Sequence, residues 1–553
     1  MKKPLKFNLK FHQIVWILFY ILIFVILLKN SYSYLDPDLG WHLKTGQEIL
    51  QTQSVPHINH YNYTLLNERW VDHEWLMNAL SAWSFDHWGY WSLNVFFVLL
   101  IVLVLWLLNR FIRKEVEPAP RIIWWLIPLE LVALMAITPS LGVRMQEISI
   151  LNFLLLLLII FYYQKNRNYK ILFWLLPLFY LWVNCHAGFL LGIGILGFYL
   201  GIKFIEKVLP KKISLAYLDR GQILSWPQIF IFAGFSLAAI TVTFFTPYGL
   251  ELYSFLSTYT NTFYLTHIAE WLPQWSYPYQ YGQILYIDIV LIALITTLWQ
   301  IIKKKGVIKV NLWEIALVML MTYFGFKSRR HVPLLMVASL PFLIKFLINA
   351  FDFKLTETVT KKNNYITTLT NVYIIAVFII ASAGQIIATK FTSQPFTNFC
   401  DNYQPRTRSI DSLYPCGAIE FLKSHPEYNN QKILNPYGWG GFMIWAYPEK
   451  LLFIDGRLPQ TKYGHQTFLE EYNDFFDPGK IDQKITTHDI GLVLLNTGPK
   501  PKKISWYEKT FLFVRSENIN HSKNPLLWYF ENNPRWEIIH QTNLSTIYAE
   551  KQN

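Results

Sequence analysis

Long apolar segments recur along the first 390 residues of this 553-residue chain, and they constrain its fold more than any other feature. Hydrophobic residues make up 53% of the sequence and charged residues only 15%. A helix needs about 20 mainly apolar residues to cross a bilayer. The predicted fold class is therefore a polytopic α-helical membrane protein in a lipid bilayer, with about eleven spans near residues 13–30, 92–109, 122–138, 149–163, 171–184, 188–205, 227–245, 285–302, 311–326, 332–350 and 369–389.

Lysine and arginine collect in alternate loops, such as "MKKPLKFNLK", "RFIRKEVEPAPR" and "KKKGVIK". Because basic loops stay cytoplasmic, we expect a cytoplasmic amino terminus, an extracytoplasmic tail and a multi-pass protein of the plasma (inner) membrane. The net charge of +13 is mostly a product of this topology. The basic residues are divided among short turns and form no single face, so we expect no nucleic-acid partner.

The apolar helical segments stop near residue 390, which predicts a membrane module at 1–390 and a separate domain at 391–553. The strings "KLLFID", "IGLVLLN" and "EKTFLFVRS" are typical of strands, and "GAIEFLKSHPE" is typical of a helix. Their alternation predicts an extracytoplasmic α/β domain. Cys400 and Cys416 both fall in this tail, where oxidising conditions would allow a disulfide; the sequence leaves open whether they form one.

A long, aromatic outer loop at residues 31–91 follows the first span, and it begins with Asp36 and Asp38. Apolar residues at helical spacing, with tryptophan among them, predict interfacial helices near 39–52 and 72–84. The extended Asp-Pro-Asp geometry can direct one carboxylate toward a substrate while the other holds a cation or orients a neighbour. The alternative is that both aspartates only cap a helix.

The same loop carries three further polar candidates, His42, His73 and Glu74. Other polar residues fall at predicted outer helix ends, where a basic group opposes the usual charge bias and suits an anionic phosphate: Arg144, Asn184, His186, Glu270, Arg329 and Arg330. The alternatives are structural: an ion pair of Arg144 with Glu147, headgroup contact by Arg329 and Arg330, helix-end hydrogen bonds by Asn184 and His186, and a solvated Glu270.

In the tail, the string "NPYGWGGFMIW" carries glycines that we expect where the backbone turns tightly. The string "FIDGR" follows a predicted strand. We expect Asp455 and Arg457 to form a structural ion pair; the alternative is that they bind an acceptor.

Five motifs together, "DPDLGWHL", "WVDHEWL", "WVNCHAG", "AEWLPQW" and "NPYGWGGFMIW...FIDGR", resemble those of a bacterial branch of the GT-C superfamily of integral membrane glycosyltransferases. That superfamily includes the protein O-mannosyltransferases and the aminoarabinose transferases. The resemblance implies a fold of many helices, a polyprenyl-phosphate sugar as donor and inversion at the anomeric carbon. It also implies that the catalytic acid matches Asp36 or Asp38, with Asp36 favoured as closest to the membrane. The tail does not resemble a sugar-binding trefoil, so the acceptor stays open among glycan, lipid and protein.

The predicted function is that of a membrane glycosyltransferase with an extracytoplasmic acceptor. Asp36 or Asp38 would act as general base, and Arg144 or the pair Arg329 and Arg330 would receive the lipid phosphate. Glu74 and His73 would orient substrate or a divalent cation, Mg²⁺ or Mn²⁺, whose ligands would come from Asp36, Asp38 and Glu74.

The alternative function is that of a transporter or flippase of lipid-linked saccharide, without bond chemistry. A carrier should have polar or broken helices near mid-membrane, and the predicted spans are largely free of charge at their centres. A third alternative, a non-catalytic scaffold that displays the tail, does not explain the acidic aromatic loop.

Overall fold

The computed structural model describes residues 11–32, 35–115, 122–210, 217–260, 262–303, 311–350, 414–497 and 525–551. These residues form two compact units. The first comprises described residues within 1–33, 94–245 and 270–391, and the second those within 34–93, 246–269 and 392–553. The second unit thus joins the first outer loop to the tail, a different division from the one predicted at residue 390.

The first unit is a bundle of apolar helices. Its helices are α1 (Phe11–Ser31), most of α4 (Tyr90–Glu115), α5 (Ile122–Ile137), α6 (Glu147–Asn166), α7 (Leu175–Cys185), α8 (Phe189–Val208), α9 (Trp226–Val242), α12 (Tyr281–Lys303), α13 (Leu312–Lys327) and α14 (Val332–Ala350). Aromatic side chains such as Phe153, Phe179 and Trp182 are fully buried in it.

Six segments in the described part of the chain are long and apolar enough to cross a membrane: Gln13–Ser31, Tyr90–Glu115, Glu147–Asn166, Phe189–Val208, Tyr281–Lys303 and Arg329–Ile348. Each coincides with a predicted span. Three more predicted spans coincide with shorter apolar helical segments, Leu126–Ser140, Tyr169–Cys185 and Trp226–Val242. The prediction at 311–326 matches the 16-residue α13, and the one at 369–389 lies outside the described residues. The multi-pass membrane class therefore holds, while the count of eleven stays a prediction.

The second unit begins with two loop helices, α2 (Leu39–Thr52) and α3 (Trp75–Trp88), which confirm the helices predicted near 39–52 and 72–84. Their position in the membrane interface stays a prediction. Two short helices from a later loop, α10 (Glu251–Ser257) and α11 (Thr262–His267), belong to the same unit.

The described tail adds a small mixed sheet to this unit. Strands β1 (Lys432–Leu434), β4 (Ile490–Asn496), β5 (Trp536–Gln541) and β6 (Ser545–Glu550) lie in the order β1-β4-β6-β5. Strands β1 and β4 are parallel, whereas β4–β6 and β5–β6 are antiparallel. Strands β2 (Lys462–Tyr463) and β3 (Gln466–Thr467) form a separate antiparallel pair. The tail helices are α15 (Cys416–Ser424), α16 (Gly440–Ala446), α17 (Phe468–Asn473), α18 (Ile481–His488) and α19 (Pro525–Asn532).

The tail predictions have mixed outcomes. The strand at "IGLVLLN" and the helix at "GAIEFLKSHPE" are confirmed as β4 and α15. The strand at "KLLFID" is wrong, because there only Leu452 makes an isolated bridge, to Asn62. The strand at "EKTFLFVRS" lies outside the described residues. Cys416 is disulfide-bonded, whereas Cys185 is not; Cys400 lies outside the described residues.

Helix α16 packs against α2 so closely that the contact requires glycine on both sides. A Cβ atom at Gly40 would lie 2.2 Å from the carbonyl oxygen of Gly441, and one at Gly441 would lie 2.3 Å from that of Pro37. Such distances are far below van der Waals contact. The glycines of "GWGG" therefore serve helix packing, and the tight turn predicted at Gly440 and Gly441 is replaced by the start of a helix.

Candidate functional site

The predicted site residues fall into two groups, one in each compact unit. The acidic loop, in the second unit, comprises Asp36, Asp38, His42, His73 and Glu74. The arginine cluster, in the first unit, comprises Arg144, His186, Glu270 and Arg330. Each group is described by itself.

In the acidic loop, Asp38 occupies the N-cap position of α2, yet its side chain does not cap the helix. Its Oδ1 atom instead accepts a hydrogen bond of 3.0 Å from Trp41 Nε1. Asp36 Oδ1 accepts a hydrogen bond of 2.9 Å from the backbone N–H of Asp38. Both aspartates are partly exposed. The capping alternative is therefore wrong for Asp38, and a tryptophan three residues away orients its carboxylate.

Behind these aspartates lies a buried polar chain that the sequence did not single out. Asn78 Nδ2 donates to both carboxylate oxygens of Asp72, at 2.9 Å each. His42 Nδ1 lies 2.7 Å from Asn78 Oδ1. Burial raises the pKa of Asp72 to about 6, although the amide of Asn78 and the N–H of Glu74 act in the other direction. Burial lowers the pKa of His42 to about 3. At neutral pH, Asp72 is therefore ionised and His42 is neutral.

Glu74 and His73 complete the acidic loop. Glu74 Oε2 lies 3.7 Å from His42 Nε2, and Glu74 Oε1 lies 3.8 Å from His73 Nε2. Within the described residues, no group of three or more His, Cys, Asp or Glu side chains is arranged to hold a metal ion. Asp36, Asp38 and Glu74 therefore do not form a ready metal site here, and the divalent cation stays a prediction.

A buried arginine fastens this loop to the tail within the second unit. Arg457 pairs with Asp455 at 2.7 Å, with the Arg457 side chain 0% and that of Asp455 1% exposed. The guanidinium also donates 2.9 Å hydrogen bonds to the side-chain oxygens of Asn59 and Asn62. The predicted structural pair is confirmed, and its loop partners show that it anchors the loop as well as the tail.

In the arginine cluster, the carboxylate of Glu270 bridges two arginines. It pairs closely with Arg144 Nη1, and its other oxygen lies 3.7 Å from Arg330 Nη1. Burial acts to raise the pKa of Glu270, but the two guanidinium groups outweigh it and hold that pKa below the ordinary value. Among the described residues, two guanidinium groups thus share the carboxylate of Glu270.

This arrangement decides two of the structural alternatives. Arg144 pairs with Glu270, whereas Glu147 Oε1 accepts a 2.8 Å hydrogen bond from the N–H of Gly142, so the predicted Arg144–Glu147 pair is not formed. Glu270 is 34% exposed and paired, so it is not a simple solvated acid.

The remaining candidates divide between the cluster and the scaffold. His186 Nε2 lies 3.2 Å from Arg330 Nη2. Arg329 is buried and donates to the carbonyl oxygens of Ser276 and Pro278, at 2.6 and 2.9 Å. Asn184 donates to the carbonyl oxygens of Tyr180 and Phe245. Arg329 and Asn184 thus make structural helix-end contacts, and His186 is the one that joins the arginine cluster.

Solved structures similar to this chain include two of the oligosaccharyltransferase of Archaeoglobus fulgidus. The apo form matches at a TM-score of 0.51 and 10% identity, covering 89% of this chain and 70% of that one. The form tethered by a disulfide bond to an acceptor peptide containing the NVT sequon matches at a TM-score of 0.51 and 12% identity, covering 98% and 74%. No protein-family profile matches the chain, and no curated protein sequence matches it significantly. At these identities, the likeness is one of fold alone.

Proposed function

We propose that the protein is a membrane glycosyltransferase that moves a sugar from a polyprenyl-phosphate donor to an extracytoplasmic acceptor, with inversion at the anomeric carbon. The observation that carries the proposal is the oriented carboxylate of Asp38: it stands at the start of α2 but is held by Trp41 and does not cap the helix. A fold shared with an oligosaccharyltransferase supports the same class of reaction.

In the proposed reaction, the carboxylate of Asp36 or Asp38 takes the proton of the acceptor nucleophile as that atom bonds to the anomeric carbon. The bond between that carbon and the phosphate oxygen breaks, and its electron pair stays on the lipid phosphate. Attack from the face opposite the leaving group inverts the configuration. The mechanism as proposed needs no metal ion; treatment with EDTA, followed by addition of Mg²⁺ or Mn²⁺, tests the predicted cation separately.

The arginine cluster would receive the leaving phosphate. Arg144 and Arg330 carry two positive charges against the single carboxylate of Glu270, and arginine matches phosphate oxygens in bidentate geometry. We retain these two arginines as phosphate ligands and leave out Arg329, whose guanidinium is bound to backbone carbonyls.

The test is release of radiolabelled sugar from a panel of polyprenyl-phosphate donors by the purified protein. We expect loss of the base to lower the rate roughly 10²- to 10⁴-fold. Asp36→Asn and Asp38→Asn identify which carboxylate is the base. The matched control is Asp86→Asn, an exposed aspartate of the same loop bonded to Gln47. Full activity in both test variants would falsify the proposal.

One observation favours the alternative of a saccharide-lipid transporter. Glu130 lies in the middle of α5 and is fully buried. An ionisable residue inside the membrane is commonly part of a transport path, and the expectation that span centres are largely free of charge fails here. Translocation of labelled saccharide lipid in proteoliposomes, lost in Glu130→Gln and kept in Glu314→Gln, would support a transporter. Glu314 is the control because it stands at the start of α13, paired with Lys345.

A further inference from the structure

The buried chain from Asp72 through Asn78 to His42 determines which nitrogen of His42 carries hydrogen. Asp72 and Asn78 are 1% and 0% exposed, so solvent cannot supply their hydrogen bonds. The two carboxylate oxygens of Asp72 each lie 2.9 Å from Asn78 Nδ2. An ionised carboxylate accepts only, so the amide must present its NH₂ group to Asp72. The other end of that amide, Oδ1, then faces His42.

Because Asn78 Oδ1 only accepts, the hydrogen in its 2.7 Å contact belongs to His42 Nδ1. Burial keeps the imidazole neutral at physiological pH. A neutral imidazole with hydrogen on Nδ1 has a lone pair on Nε2. The hydrogen bonds from Asp72 to Asn78 and from Asn78 to His42 therefore leave His42 Nε2 as a hydrogen-bond acceptor.

This acceptor is fixed in place beside the proposed base. The ring of Trp41 packs on that of His42 with centroids 3.7 Å apart, and Trp41 Nε1 donates to Asp38. His42 Nε2 points toward Glu74 Oε2 at 3.7 Å, longer than a hydrogen bond. A lone pair and a carboxylate oxygen cannot bond each other, but Nε2 can accept a hydrogen bond from a hydroxyl group that approaches it.

We infer that His42 Nε2 accepts a hydrogen bond from a hydroxyl group of the saccharide substrate, and that Asp72 and Asn78 are positioning residues that hold His42 in the required tautomer. The substrate part rests on the proposed function, whereas the tautomer part does not. The hydroxyl belongs either to the transferred sugar or to the acceptor, and the experiment separates these two sources.

The first measurement is ¹⁵N NMR of histidine-labelled full-length protein, with the His42 signals assigned by their loss in His42→Gln. We expect the wild type to show hydrogen on Nδ1. Asn78→Leu, or Asp72→Asn if that variant does not fold, should lose this preference. Addition of the donor or acceptor saccharide should shift the Nε2 signal. Hydrogen on Nε2 in the wild type, or no shift with either saccharide at saturation, overturns the inference.

The second measurement compares two replacements of His42 in the transfer assay. The amide of asparagine reaches only the position of Nδ1, so His42→Asn keeps the contact with Asn78 and loses the far acceptor. The amide of glutamine reaches the position of Nε2. We expect His42→Asn to raise KM roughly 10- to 100-fold and His42→Gln to raise it less.

The substrate whose KM rises identifies the source of the hydroxyl, donor or acceptor. Equal losses in the two variants, or a loss in kcat alone, overturn the substrate contact. If the wild type transfers no sugar at all, the proposed function fails, yet the NMR tautomer and the saccharide-induced shift still decide the present inference.

Discussion

Gly456 lies directly against the carboxylate of Asp38: a Cβ atom at position 456 would come within 2.0 Å of Asp38 Oδ1. Gly456 stands between Asp455 and Arg457, whose buried ion pair fixes the local backbone. The tail therefore limits where the carboxylate of the acidic loop can lie. Position 456 lies 418 residues after position 38 in the sequence. A distant glycine therefore limits the position of the candidate catalytic carboxylate.

The first prediction concerns this contact. We expect Gly456→Ala to displace the Asp38 side chain and to lower the rate of sugar transfer at least ~10-fold, because a misplaced catalytic group forfeits orientation. Gly438→Ala is the matched control, since a Cβ atom there meets nothing within 4 Å. Both variants should be obtained as folded protein. Equal transfer rates for the two alanine variants would show that Asp38 does not need its present position.

The second prediction is a pH dependence set by Asp72. When the pH falls through about 6, Asp72 takes up a proton and can donate to Asn78 Oδ1, so that the amide reverses and His42 loses the Nδ1–H tautomer. We therefore expect kcat/KM to fall on the acid side of about pH 6. Among the described residues, the charged or titratable groups near this chain include Glu74, His73, Arg457 and Tyr248. The pKa of His42, about 3, lies below the window.

The control for this pH profile is the variant Asp72→Asn. Its neutral amide can donate to Asn78 or accept from it, so Asn78 no longer has one enforced orientation at any pH. Activity should therefore be low and flat between pH 5 and 8. If kcat/KM of Asp72→Asn falls at acid pH as it does in the wild type, a group other than Asp72 causes that fall.

The third prediction concerns the direction in which the carboxyl group of Asp72 changes the stability of the protein with pH. The pKa of Asp72 is raised in the folded state, from an ordinary value of 3.8 to about 6, so the folded protein binds this proton more tightly than the unfolded chain. The resulting stabilisation is fully present below about pH 4 and is lost as the pH rises through about 6, by up to ~3 kcal/mol. Thermal unfolding in detergent at pH 5 and 7, compared between wild type and Asp72→Asn, measures this contribution. A wild type that gains stability through Asp72 as the pH rises would contradict it.

Local patterns predicted the helices of the acidic loop well, because apolar residues recur at helical spacing within each of these two segments. Membrane segments were visible for the same reason, since each needs only its own apolar length. These features depend on residues that are neighbours in sequence. The local sequence is therefore sufficient to predict a helix or a membrane segment whose structure depends on its own residues.

Side-chain contacts between residues that are distant in sequence were not predictable from local patterns. Asp72 is adjacent to the candidate His73 in sequence, yet its role depends on its bonds to Asn78 and on its burial, which no local pattern shows. Glu147 was the candidate partner of Arg144 that lies close in sequence, whereas the actual partner, Glu270, lies 126 positions away. The one available signal in the sequence was the cluster of polar residues in "WVDHEWLMN", where an aspartate and an asparagine accompany His73 and Glu74.

The fourth prediction concerns the arginine cluster. We expect Arg144→Gln to raise the KM for the polyprenyl-phosphate donor roughly 10- to 100-fold, because one charge-assisted contact to the phosphate is lost. The KM for the acceptor should change little. Arg69→Gln serves as control, because Arg69 makes a salt bridge with Glu251 while its side chain is 67% exposed. A donor KM that is equal in the two variants would remove Arg144 from phosphate binding.

The last prediction concerns the buried Arg457, which also packs between the rings of Tyr61 and Trp70, at 4.4 and 4.5 Å from their centroids. Replacing it by leucine leaves the carboxylate of Asp455 buried without its counter-charge. Breaking one side of such a pair costs about 3–5 kcal/mol, so we expect Arg457→Leu to unfold at a clearly lower temperature than the wild type in detergent.

The double variant Asp455→Asn/Arg457→Leu separates charge from packing in this prediction. Removing both charges should recover part of the lost stability, because no buried ion is left unpaired. Since the same arginine bonds Asn59 and Asn62, the double variant should still loosen the acidic loop and transfer sugar more slowly than the wild type. A single Arg457→Leu variant as stable as the wild type would show that the ion pair holds neither the tail nor the loop.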